Sequence, residues 1–141
     1  MDIQSVMTPN PTCCSTEATL REVARMMLDC DCGQIPVVDQ QRRPLGVITD
    51  RDIAVRAVAQ GVDPSTAKAG DFMSAPASTV SLKSDLDEVV EMMESQQIRR
   101  VVVVAEDGTV AGIVAQADIA LAGRGRRTAE VVEQVSQRGS H

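Results

Sequence analysis

Two apolar runs in this chain break off in the same manner. Leu45-Gly46-Val47-Ile48 passes into Thr49-Asp50-Arg51-Asp52, and Val110-Ala111-Gly112-Ile113-Val114 passes into Ala115-Gln116-Ala117-Asp118. Each run follows another apolar stretch, Ile35-Pro36-Val37-Val38 or Val101 to Val104, across the polar turn Asp39 to Arg43 or Glu106-Asp107-Gly108. Such continuous β-branched stretches predict strands buried on both faces. Further upstream, Leu20, Val23, Ala24, Met27 and Leu28 share one face of a 3.6-residue period, and Leu86, Val89, Val90 and Met93 repeat it. Thr19-x-x-Glu22 and Asp85-x-x-Glu88 open these helices as capping-box-like starts. The lead-ins "VMTPNPTC" and "FMSAPAST" suit a turn and a short strand. A second helix is predicted from about Thr49 to Ala59, and again from about Ala115 to Ala122.

The two patterns are one pattern written twice. A shift of 66 positions lays Met7 on Met73, Ser15 on Ser81, Leu20 on Leu86 and Met26-Met27 on Met92-Met93. The same shift lays Val37-Val38 on Val103-Val104 and Asp52-Ile53-Ala54 on Asp118-Ile119-Ala120, with no gap. A register held that far marks an internal duplication. Each copy reads β-α-β-β-α, so the fold class is α/β (α+β). The division is 1–60 for the first repeat, 61–70 for a linker and 71–123 for the second repeat. Residues 124–138 form a tail, and 139–141 read as a tag remnant. A unit this small buries too little surface alone, so the repeats are expected to pack as one body with pseudo-twofold symmetry. Clefts at the seam between them are the natural ligand sites.

Composition narrows the function. The net charge is −6 and Phe72 is the one Phe, Tyr or Trp among the 141 residues. An acidic chain without a stacking platform is a poor nucleic-acid binder. No apolar run is long enough to span a membrane, and the N-terminus lacks signal-peptide character, so a cytoplasmic protein is expected. The single histidine is His141, inside the tag-like ending, which removes the commonest general base. No nucleophile-base pair, metal set or phosphate loop is visible, and an enzyme is not expected. Cys13, Cys14, Cys30 and Cys32 are expected to be mostly reduced in that compartment, and their spacing is not a standard zinc pattern. Under oxidation, Cys13 or Cys14 would pair with Cys30 or Cys32, the basis of a thiol-sensor alternative. The tail carries Arg124, Arg126 and Arg127 ahead of an amphipathic segment suited to capping the module or packing on a partner.

The strand-helix junction has two readings. Thr49-x-x-Asp52 is a helix start, the acidic form of a capping box, and a cap is worth about 1 kcal/mol with no ligand present. A helix N-terminus also favours anions, and Arg51 suits a phosphate. Asp52 would repel phosphate but can accept two hydroxyl hydrogen bonds from a ribose. The second copy has no hydroxyl at Ala115 yet retains Asp118.

These tandem copies, with "VMTP" leading in, "IPVVD" on a strand and "GVITDRDI" at the junction, resemble a CBS-domain pair, or Bateman module. The resemblance covers roughly Ile3 to Gly123. It implies a regulatory module binding AMP, ADP, ATP, S-adenosylmethionine or NAD between the copies, and a disc-like homodimer that signals to an effector protein. It also implies two sites. The first uses Val47, Thr49, Arg51 and Asp52 with Ser78, Ile98 and Arg99 of the other copy. The second uses Asp118 with Asn10, Thr12 and Cys32, and takes Arg99 and Arg100 as cations. The second departs from the family pattern at Ala115, where a hydroxyl is usual, and at Ala117, where Arg51 stands in the first. That departure leaves room for a scaffold with vestigial sites.

Overall fold

A computed structural model describes residues 2–126. The strands are β1 (Thr8–Pro9), β2 (Gln34–Val38), β3 (Pro44–Thr49), β4 (Thr79–Ser81), β5 (Arg100–Val104) and β6 (Val110–Ala115). The α-helices are α1 (Leu20–Cys30), α2 (Ala69–Phe72), α3 (Leu86–Gln96) and α4 (Gln116–Arg126). The helix after β3 is a wide π-helix, Asp52–Val58, in which the Ala59 N–H reaches back five residues to the Ala54 carbonyl at 2.9 Å. The helix after β6 runs to Arg126, beyond the expected end at Ala122. The tail from Arg127 onward lies outside the described residues.

Helices α1 and α3 begin as their sequences require. Thr19 and Glu22 form a reciprocal capping box on α1, and the Asp85 carboxylate accepts from the Glu88 N–H at 2.9 Å on α3. Each ends on a left-handed residue, Asp31 or Gln97, which are 66 positions apart. The apolar face of α1 is narrower than its periodicity implies. Leu20, Val23 and Met27 are buried, whereas Ala24 is exposed and Leu28 is 72% exposed. Periodicity marks an apolar face without saying how much of it a neighbour covers.

Sheet pairing shows how the two repeats become one body. β2 pairs antiparallel with β3, and β5 with β6 in the matching register. Each lead-in then crosses to the other repeat. β1 pairs with β6, setting Thr8 against Ile113, while Ser74 bridges Val47 of β3. The crossings are tight. A Cβ on Gly46 would stand 2.6 Å from the Ser74 carbonyl oxygen and 2.8 Å from Met73 Sδ. A Cβ on Gly112 would meet Met7 Sδ at 2.6 Å and the Thr8 carbonyl at 2.9 Å. The glycine that opens each junction motif is therefore there for close approach.

The lead-ins differ for a simple reason. β4 lies parallel to β5, where the Val102 N–H donates to the Ser78 carbonyl at 2.9 Å. Its counterpart in the first repeat is the single bridge between Cys14 and Val37. The residue matching Val102 there is Pro36, which has no N–H to give. Two cores result. One centres on Leu20, Val23, Ile35, Val37 and Ile48, the other on Ile3, Val89, Val101, Val103 and Val114.

Candidate functional site

The pseudo-twofold axis can be placed at one hydrogen bond. Arg100 Nε donates to Gln34 Oε1 at 2.8 Å, and these positions are equivalent in the two repeats. Two equivalent residues can touch only beside the axis that relates them. Clefts open on either side of this bond.

The larger cleft has a volume of about 640 Å³, within the rough range of 300–1,000 Å³ for small-molecule sites. One wall comes from the first repeat: Val47, Thr49, Asp50 and Arg51. The facing wall is the Ser74–Ser78 lead-in of the second repeat, and Gln97, Ile98, Arg99 and Arg100 form the third side. Seven of the residues expected for a ligand site thus come together: Val47, Thr49, Arg51, Ser78, Ile98, Arg99 and Arg100. Ser74 to Ala77, Asp50 and Gln97 were missed. The 66-residue shift points to the Ser74–Ser78 wall, because it matches Thr8–Thr12 of the first repeat.

Asp52 does not line this cleft; it stands directly behind Thr49. Its Oδ2 accepts from the Thr49 N–H at 2.9 Å, and Thr49 Oγ1 accepts from the Asp52 N–H at 3.1 Å. The capping-box reading is thus realised in full. A carboxylate offers about four acceptor positions, and Asp52 Oδ1 lies 3.9 Å from Arg56 Nη1 on a side chain that keeps 16% exposure.

The smaller cleft, about 430 Å³, is lined by Arg99, Arg100, Ala115, Gln116, Ala117 and Ala120. Only its two arginines match the expected second site. Asp118 caps by one hydrogen bond, from the Ala115 N–H at 3.2 Å, and is not in the lining. Asn10 and Thr12 do not line it either; the Asn10 N–H donates to the Ala111 carbonyl beside β1.

Cys32 is also elsewhere: it is bonded to Cys30. The partner of Cys32 is thus Cys30 rather than the expected Cys13 or Cys14. The left-handed turn at Asp31 folds the chain back at the end of α1 and brings the two Cα atoms to 5.4 Å. Cys13 and Cys14 are free. Burial raises both thiols, Cys14 to about 11 with further help from Cys13 and Glu22. Only the thiolate is nucleophilic. Cys14 is therefore expected to resist iodoacetamide at pH 8 in the folded protein and to react once urea unfolds it, as mass spectrometry of the labelled peptide would show. Equal labelling folded and unfolded would contradict the burial.

The CBS domain family model matches residues 3–58 and 69–125. The chain belongs to the CBS domain family. Hypoxic response protein 1 of Mycobacterium tuberculosis is 37% identical over 117 residues, which cover 83% of this chain and 81% of that one. The crystal structure of Hypoxic Response Protein I, described with two coordinated zinc ions, superposes with a TM-score of 0.76 at 34% identity and covers 86% of this chain and 98% of that one. The CBS pair of protein MJ0100, in complex with 5-methylthioadenosine and S-adenosyl-L-methionine, gives a TM-score of 0.79 at 25% identity, over 89% of this chain and 98% of that one. CBS domain protein PAE2072 from Pyrobaculum aerophilum, complexed with AMP, gives 0.75 at 28%, over 84% and 89%. Among the described residues, no group of three or more His, Cys, Asp or Glu side chains is placed to hold a metal ion. No helix among them is long and apolar enough to cross a membrane.

Proposed function

We propose that this CBS pair is a regulatory module that binds a phosphorylated adenine nucleotide in its larger cleft and passes the occupancy to an effector protein. The observation that carries the reading is the charge of the lining. Arg51, Arg99 and Arg100 face the same space, with Asp50 as the one acidic residue among them. Guanidinium groups match phosphate oxygens in geometry as well as charge. The sulfonium of S-adenosylmethionine would meet three like charges there. AMP, ADP, ATP and NAD are accordingly favoured over it, with the base beside Val47 and Ile98 and the ribose toward Asp52.

The smaller cleft has Ala115 and Ala117 in place of a hydroxyl and a cation, and it favours a vestigial role on that side. Leu28, Val58 and Leu121 are each more than 60% exposed, and apolar exposure of this kind suits a homodimer packed through helix faces.

Isothermal titration with AMP, ATP, NAD and S-adenosylmethionine tests the reading, with light scattering on the same samples. The expected result is one nucleotide per chain, in a particle of two chains, with affinity falling as salt rises. Absence of heat with every one of these at millimolar concentration would sink it in favour of a scaffold.

A further inference from the structure

Arg56 lies outside the cleft, and its contacts join two parts of the cleft wall. Its Nη1 donates to the Phe72 carbonyl at 2.7 Å and lies 3.9 Å from Asp52 Oδ1. Its guanidinium carbon stands 5.9 Å from the centroid of the Phe72 ring, within cation–π range. Asp52 is fixed in turn to the cleft-lining Thr49. Phe72 ends α2 immediately before Met73, which packs on Gly46, and Ser74, where the facing wall begins. The second repeat has no such device. Its matching positions are Ala122 for Arg56 and Val6 for Phe72, so Asp118 has no arginine four residues on.

We infer that Arg56 is a positioning residue that couples the Asp52 carboxylate to the Ser74–Ser78 wall of the larger cleft through the carbonyl and ring of Phe72. A carboxylate that turns to accept ribose hydroxyls shifts the guanidinium it faces. The guanidinium carries that shift to the point where the chain enters the opposite wall. A lysine would supply the charge but not the planar guanidinium that lies over the Phe72 ring. The nucleotide part of this inference rests on the proposed function; the Asp52–Arg56–Phe72 coupling does not.

The ring of Phe72 is the one Phe, Tyr or Trp ring in the chain, so its aromatic NMR signals need only be told apart from the imidazole protons of His141, which move with pH. Without nucleotide, Asp52→Asn retains an acceptor for the Thr49 N–H and removes the charge facing Arg56. It is expected to move the Phe72 ring signals, and the Asp52→Asn/Arg56→Gln double variant to move them no further than Arg56→Gln alone. Ring signals at their wild-type positions in Asp52→Asn would overturn the coupling, whatever binds. With AMP added, the wild-type ring signals are expected to shift. Arg56→Gln should lose that shift and bind AMP about three- to fivefold more weakly, the scale of a partly exposed ion pair. Equal affinity and an equal ring shift in Arg56→Gln would also overturn the inference. Failure of the wild type to bind AMP would count against the proposed function instead, and the nucleotide-free comparison would still decide the coupling.

Discussion

Gly46→Val is expected to lose about 3 kcal/mol or more of stability, the upper range for forcing atoms into a packed site. The new Cβ would stand 2.6 Å from the Ser74 carbonyl oxygen, a backbone atom that cannot rotate away. Moving Ser74 breaks the exchange that holds the crossing, Val47 N–H to Ser74 carbonyl at 3.0 Å and Ser74 N–H to Val47 carbonyl at 2.9 Å. That crossing ties the first repeat to the second and anchors the Ser74–Ser78 wall. Urea unfolding followed by far-UV circular dichroism should show a clearly lower midpoint. Gly112→Ala should be milder, since Met7 Sδ, the nearest atom to its Cβ at 2.6 Å, belongs to a flexible side chain. A wild-type midpoint for Gly46→Val would mean that the crossing does not join the repeats in solution.

Asp52→Ala separates the two roles that meet at the junction motif. The capping role predicts a loss of about 1 kcal/mol of stability. The ribose role predicts AMP binding at least tenfold weaker, the scale of a hydrogen bond to a charged group. Thr49→Ala provides a partial comparison, since Thr49 itself lines the cleft. It removes the hydroxyl that accepts from the Asp52 N–H and leaves the carboxylate in place, so its stability should fall similarly while AMP affinity falls by less than in Asp52→Ala. Asp118→Ala should leave AMP binding nearly unchanged, because the smaller cleft beside it has Ala115 and Ala117 in place of a hydroxyl and a cation. If Asp52→Ala binds AMP as the wild type does, Asp52 is a cap alone and the ribose is held elsewhere.

Much of the candidate site was legible because its signals are local or repeated. A hydroxyl three residues before an aspartate closes a capping box wherever a strand turns into a helix, and both hydrogen bonds are present. Val47, Thr49 and Arg51 share a cleft because they flank one strand end. The partners from the other repeat came from the family resemblance, and Ser78, Ile98 and Arg99 line the larger cleft. Asn10, Thr12 and Cys32 are not in the lining of the smaller one, where exact duplication would have placed them. The repeats have diverged there: Cys32 is bonded to Cys30, and Arg99 and Arg100 line both clefts.

By itself the sequence determined the duplication, the β-α-β-β-α order of each copy, the capped helix starts and the buried strands Ile35–Val38 and Val101–Val104. These depend on neighbours along the chain, and periodicity records neighbours. Tertiary structure alone decided how the lead-ins cross, why Gly46 and Gly112 stand at points of close approach, and that Gln34 meets Arg100 at the axis. It also decided which apolar positions stay uncovered, Leu28 among them. Each of these depends on atoms far apart in the chain, and a single sequence carries no measure of that distance.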